Sequence, residues 1–183
     1  MPETTETLSP ALPADIEQLA IAVLKSMTAG DFKIATAESC TGGLLASLLT
    51  DVEGCGHCFD RGFVTYTNAS KTDLLGVSAE ALERDGAVSR KTASSMVEGA
   101  LQRSQAEFAI AITGYAGPGE PGSEPGLVYI AVGPREGPIQ VKEHHFGDVG
   151  RGTVRMLCLR EALQAIAPIV REGLASGAKK PSR

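Results

Sequence analysis

The chain has 183 residues, 43% of them apolar and 21% charged, a balance that fits one ordinary globular domain and excludes wholesale disorder. A formal charge of −5 excludes a general nucleic-acid binder, which needs a basic surface to neutralise phosphates, but leaves room for a local basic pocket. No apolar run reaches the roughly 18–20 residues of a membrane span, and the acidic, Pro-rich start lacks the regions of a signal peptide. The chain therefore reads as soluble and cytoplasmic, without a membrane or nucleic-acid partner.

Three Tyr, five Phe and no Trp leave the core to aliphatic side chains. Residues 1–12 read as a disordered leader, 13–174 as one domain and 175–183 as a flexible tail. A helix is predicted from Asp15, its N-cap, to Gly30, because Ile16, Leu19, Ala20, Val23, Leu24 and Met27 recur at helical spacing. Residues 33–38 read as a short strand that runs into Ser39-Cys40-Thr41-Gly42-Gly43 and then a helix from Leu44 to Leu49. The β-branched and aromatic stretch 62–67 reads as a second strand, followed by a helical turn at 71–75. Two helices with Ser78 and Ser89 as N-caps come next. Residues 108–113 form a continuous apolar run, as in a strand buried on both faces. A Gly/Pro-rich loop spans 114–126, and 127–132 is another apolar strand. Residues 139–146 are a more polar strand near an edge, and a last helix covers about 152–171. Alternation of strands and helices predicts an α/β sheet, partly antiparallel where two strands follow one another over a short loop.

The four cysteines do not suggest a secreted disulfide framework; free thiols in a reducing compartment fit them. An alternative zinc site would use Cys55, Cys58 and one of His57, His144 and His145, without a second well-spaced ligand pair. The strand–turn–helix at 36–49 is the most pointed feature. A helix N-terminus at a strand's carboxyl end offers N–H groups to an anion, and Ser39, Thr41, Gly42 and Gly43 suit such a place. Thr41 as a plain N-cap is the structural alternative. Ser39 is also a candidate nucleophile, and no Ser-His-Asp set is evident. Lysine is the other partner for a hydroxyl: Lys71 follows the strand bearing Tyr66, and serves as a base only if its pKa falls. Otherwise it is a solvated surface charge. Thr113 and Gly114 open the Gly/Pro loop. Arg151 and Arg155 share a face at the start of the last helix, where positive charge opposes the dipole unless an anion binds.

The segments ESCTGGLLASLLTDVEG, FDRGFVTYTNASKTDLLGV, GAVS, AITGYAGPG and GLVYIA, in that order over roughly residues 15–170, resemble the C-terminal domain of the CinA family. Single-domain members of that family are nicotinamide-nucleotide amidohydrolases. Larger members carry an additional N-terminal domain that is not seen in this sequence. The resemblance implies a three-layer α/β/α sandwich with a mixed, mostly parallel sheet. It implies hydrolysis of the carboxamide of nicotinamide mononucleotide to nicotinate mononucleotide and ammonia, in pyridine-nucleotide salvage, with no metal or redox cofactor and with homo-oligomers. On it, Ser39 is the nucleophile, Lys71 the general base, and Tyr66 a hydroxyl that orients or relays the proton. Cys40, Thr41, Gly42, Gly43, Thr113 and Gly114 line the substrate, with N–H groups of the 40–43 turn as oxyanion donors. Arg151 or Arg155 meets the phosphate, and a nearby arginine keeps Lys71 neutral. Two departures stand out. The loop after Pro118 carries Glu120 and Glu124, and the run before Arg151 is two residues longer than the family's G-D-R. A nucleotide-binding regulatory module without turnover is the alternative function, and a thiol enzyme using Cys40 a third.

Overall fold

A computed structural model describes residues 12–118 and 122–177. The expected leader up to residue 11, the tail beyond Gly177, and Glu120 with its neighbours lie outside these residues. The described chain runs α1 (Ala14–Gly30), β1 (Ile34–Glu38), α2 (Leu44–Asp51), β2 (Phe59–Val64), α3 (Asn68–Leu75), α4 (Ala79–Asp85), α5 (Arg90–Gln102), β3 (Phe108–Gly114), β4 (Leu127–Pro134), β5 (Gln140–His145) and α6 (Arg151–Ala175). The strands lie in the order β2-β1-β3-β4-β5. β1 pairs in parallel with β2 and β3, while β3–β4 and β4–β5 are antiparallel. Four strands thus run one way and β4 runs against them, in a mixed sheet of the expected kind.

Helices cover both faces, which gives the three layers. α1, α2 and α6 pack on one side over a large aliphatic cluster that includes Ile34, Ile110, Ile112, Leu45, Leu49 and Ile166. α5, flanked by α3 and α4, packs on the other. There the sheet presents Ala35, Ala37, Ala109, Ala111 and Ala131, so α5 approaches closely through Ala93, Met96, Val97 and Ala100. β1 and β3 are buried on both faces, as the continuous apolar run of β3 predicts. β5 is an edge strand, mostly exposed, with only Val141 and His144 half-buried.

Three local expectations change. Asp15 does not cap α1: Pro13 occupies the N-cap position, and Asp15 instead accepts two hydrogen bonds from Arg160 of α6, at 2.5 and 3.1 Å. β2 ends at Val64, not at Thr67, because Thr67 turns the chain into α3. It does so with a reciprocal cap, Ser70 N–H to Thr67 Oγ1 and Thr67 N–H to Ser70 Oγ, each 3.1 Å. The last helix also runs on to Ala175. Ser78 and Ser89 cap α4 and α5 as expected.

α5 comes close to the end of α3 at Gly99, where a Cβ would overlap the carbonyl of Leu75. A backbone carbonyl cannot yield as a side-chain tip can. Gly99→Ala is therefore expected to destabilise the fold by about 1–3 kcal/mol, typical of overpacking, as read from the urea midpoint. An unchanged midpoint would mean that α3 and α5 slide freely.

Candidate active site

β1 and β2 finish level, Glu38 opposite Val64, while β3, whose Ile112 also pairs with Glu38, runs on to Gly114. Ser39 and Thr65 leave the sheet beside Thr113 of β3, at the strand ends where ligands of α/β folds collect. Ser39 N–H donates to the Ile112 carbonyl at 2.9 Å, and Thr65 N–H to the Glu38 carbonyl at 2.7 Å, so both exits are fixed by backbone bonds.

After Ser39 the chain reverses through Gly42 and Gly43, both with positive φ (64° and 90°), a conformation that costs glycine nothing. Gly42 N–H closes the turn on the Ser39 carbonyl at 3.1 Å. Gly43 is the N-cap of α2 and supplies no side-chain cap. That role belongs to Glu38, whose carboxylate accepts N–H bonds from Gly43, Leu45 and Ala46 at 3.1, 3.0 and 2.8 Å. The N-terminus of α2 is thus filled from within, not open to an external anion. Thr41 is not its cap either: its hydroxyl is buried without a partner. Of the four turn N–H groups expected to hold an oxyanion, those of Gly42 and Gly43 are already engaged, and those of Cys40 and Thr41 are left outside these bonds.

Lys71 is not a surface charge. It lies in the first turns of α3, four residues before Leu75, and these two form the buried face of that helix. Its side chain is 1% exposed. Nζ donates to the Thr65 carbonyl at 2.8 Å and lies 3.2 Å from Ser39 Oγ. Burial holds its pKa below the usual lysine value because the ammonium loses hydration, while the neighbouring Cys40 thiol pulls weakly the other way. The lowering expected from a nearby arginine is supplied by burial instead.

Ser39, Cys40, Tyr66, Lys71, Thr113, Gly114 and Arg151 line one cavity of about 510 Å³. Tyr66 stands at its mouth, 67% exposed, and among the described residues no hydrogen bond joins its hydroxyl to Ser39 or Lys71. The Thr113 hydroxyl donates to the Ala87 carbonyl at 2.8 Å and so tethers the 86–88 segment of the opposite wall. Thr41, Gly42 and Gly43 lie behind Ser39 rather than on the cavity surface.

The two arginines separate. Arg151 lines the cavity and faces Gly117. Arg155 is turned to the 39–43 turn: its Nε donates to the Cys40 carbonyl at 3.0 Å, and its guanidinium covers Gly42. Glu124 points away from the cavity and bonds His145 on the edge strand at 2.7 Å.

The remaining candidates do not assemble into a second chemistry. Cys40 and Cys158 are buried free thiols, and their interaction holds Cys40 below the usual thiol range and pushes Cys158 up. No histidine lines the cavity to serve Cys40. Cys58 Sγ contacts Thr28 Oγ1 and His57 Nε2 at 3.3 and 3.4 Å, and no group of three His, Cys, Asp or Glu suited to a metal ion occurs among the described residues. A second cavity of about 550 Å³ lies at the opposite end of the sheet by Phe32, Phe108 and Pro134, and the one hydroxyl that lines it, that of Ser176, donates to the Gly173 carbonyl at 3.0 Å, with no lysine or histidine beside it in the lining. Nor is any helix of the described residues long and apolar enough to cross a membrane.

Sequence reasoning missed Glu38 and the inward turn of Arg155. A signal for the first was available: an acidic residue ending an otherwise uncharged buried strand needs donors nearby, and an uncapped helix start follows it.

Comparison with known proteins agrees with this geometry. The family described as "CinA C-terminal domain" matches residues 16–170. A CinA-like protein of Leptospira borgpetersenii is 46% identical over 115 residues, 62% of this chain and 28% of that protein. The chain thus spans less than a third of the first curated relatives it matches. Protein YdeJ of Escherichia coli is 40% identical over 157 residues, 85% of this chain and 90% of its own. The crystal structure of the competence/damage inducible protein CihA from Agrobacterium tumefaciens superposes with a TM-score of 0.83 at 46% identity, covering 87% of this chain and 98% of that one.

Proposed function

This chain belongs to the CinA C-terminal-domain family, and from that premise we propose that it is a Ser–Lys amidohydrolase. Its proposed substrate is nicotinamide mononucleotide, which it converts to nicotinate mononucleotide and ammonia. The observation that carries the reading is the approach of Lys71 Nζ to Ser39 Oγ, 3.2 Å apart in a buried corner of a ligand-sized cavity. A serine is a weak nucleophile until a base takes its proton, and a lysine is a base only when burial lowers its pKa. Both requirements meet here.

In this mechanism the neutral Lys71 amine accepts the Ser39 proton as Oγ attacks the carboxamide carbon. The Thr65 carbonyl holds Nζ in line. Negative charge on the carbonyl oxygen is met by the N–H group of Cys40, the turn residue that lines the cavity beside Ser39. The tetrahedral intermediate collapses, the C–N bond breaks, and Lys71 returns the proton to the departing ammonia. Water, activated by the same amine, then cleaves the Ser39 ester to give the carboxylate. With the start of α2 occupied by Glu38, the cation available to a substrate phosphate in the cavity is Arg151.

Ammonia release from purified protein incubated with nicotinamide mononucleotide tests the reading. Arg151→Ala is expected to raise KM about 10-fold or more with kcat little changed, as for loss of a binding contact to a charged group. Binding of the nucleotide without any ammonia would favour a regulatory module and overturn the hydrolase.

A further inference from the structure

We propose that Glu38 is a positioning residue for the nucleophile: its carboxylate takes the place of an external anion at the start of α2 and locks the 39–43 turn that carries Ser39. The inference rests on the Ser39–Lys71 reading for the reaction it serves, but its geometry stands independently.

Glu38 is fully buried and forms no ion pair among the described residues. A buried carboxylate is costly unless hydrogen bonds replace its hydration. Three N–H groups do so here, from Gly43, Leu45 and Ala46, donors that a helix start otherwise leaves unpaired. An ordinary cap would be a short polar side chain at residue 43 itself. Here the cap is sent forward by the residue that precedes the nucleophile. The same residue meets the base through its main chain: the Glu38 carbonyl accepts from Thr65 N–H at 2.7 Å, and the Thr65 carbonyl accepts from Lys71 Nζ at 2.8 Å. Glu38 thus fixes both members of the reacting pair, one by its side chain and one by its backbone. A displacement of about 1 Å at such a pair can cost on the order of 100-fold in rate.

The test compares Glu38→Gln and Glu38→Asp with wild type in two readouts. One is kcat and KM for ammonia release from nicotinamide mononucleotide. The other is the rate at which a fluorophosphonate probe labels Ser39, followed by mass spectrometry, which needs no knowledge of the substrate. Glutamine turns an NH₂ towards N–H donors, and aspartate falls one methylene short of Ala46. For both variants the expected result is a fall of about 10–100-fold in kcat and in labelling rate, with KM within about twofold and native circular dichroism. Wild-type labelling and turnover in the glutamine variant would overturn the inference. So would losses that merely track the unfolded fraction, or failure of both variants to fold, since Glu38 would then serve the fold alone. If wild type labels at Ser39 but releases no ammonia, the substrate reading falls while the labelling comparison still decides the role of Glu38.

Discussion

Ser39→Ala is expected to lower kcat for ammonia release on the order of 10⁴-fold or more, the scale of losing a covalent nucleophile, while the protein stays folded. The side chain lost is one hydroxyl near Lys71 Nζ, so the stability change should stay within about 1–2 kcal/mol. Nucleotide binding, followed by calorimetry, should persist, because the cavity walls and Arg151 are untouched. The neighbouring Cys40→Ser variant sharpens the result. Its thiol faces Cys158, so activity should survive that change. Turnover that survives Ser39→Ala would send the search to Cys40 or to an activated water.

Lys71 gives the second large effect. Lys71→Ala is expected to cost about 10³-fold or more in kcat/KM. The pH profile of the wild type then identifies the reason. The active form is the neutral amine, so the rate rises with pH through the Lys71 pKa. Burial places that midpoint below the usual 10.5. A rising limb centred below 10.5 in kcat/KM, absent from the residual activity of Lys71→Ala, is the expected pattern. A flat profile would deny Lys71 the role of base. Stability carries the same sign. The unfolded chain binds the proton more readily than the folded one, so this group's contribution is complete above the unfolded value and is lost as pH falls through the folded one. Tm measured across alkaline pH should therefore rise towards pH 10.5 at a shallower slope in Lys71→Ala than in wild type.

The sequence made some of this plain for identifiable reasons. β3 shows as an unbroken apolar run because helices cover both its faces, and Ser78 and Ser89 mark helix starts because each side-chain oxygen accepts a backbone N–H. β2 was placed late because Thr65 and Thr67 have strand-like side chains; their roles, an anchor for Nζ and a helix cap, depend on Lys71 and Ser70. The outer face of α3 hides the helix further, since its residues show little apolar periodicity before Leu74 and Leu75. Lys71 is a candidate partner for Ser39 from its place after the Tyr66 strand, with a solvated surface charge as the alternative, and the resemblance assigns the roles; no spacing rule fixes the contact, which forms because β1 and β2 end level. Arg155 was read as a ligand for phosphate because charge at a helix start suggests an anion. A backbone carbonyl at Cys40 satisfies it instead, and no sequence pattern announces an acceptor of that kind.

The level ending of β1 and β2 separates two kinds of information in the chain. Ser39, Lys71, the anchoring carbonyl and the internal cap all come from one contiguous β–α–β–α stretch, Ile34 to Leu75, with Arg155 as a brace from outside it. The rest of the cavity comes from later segments, at 82–88, 113–118 and Arg151. On the proposed mechanism the reacting pair is written in the first passage, and most of the cavity wall beyond Tyr66 and Asn68 in the later ones. Substitutions in the later passages should therefore change which molecule is accepted while leaving the Ser39–Lys71 contact in place.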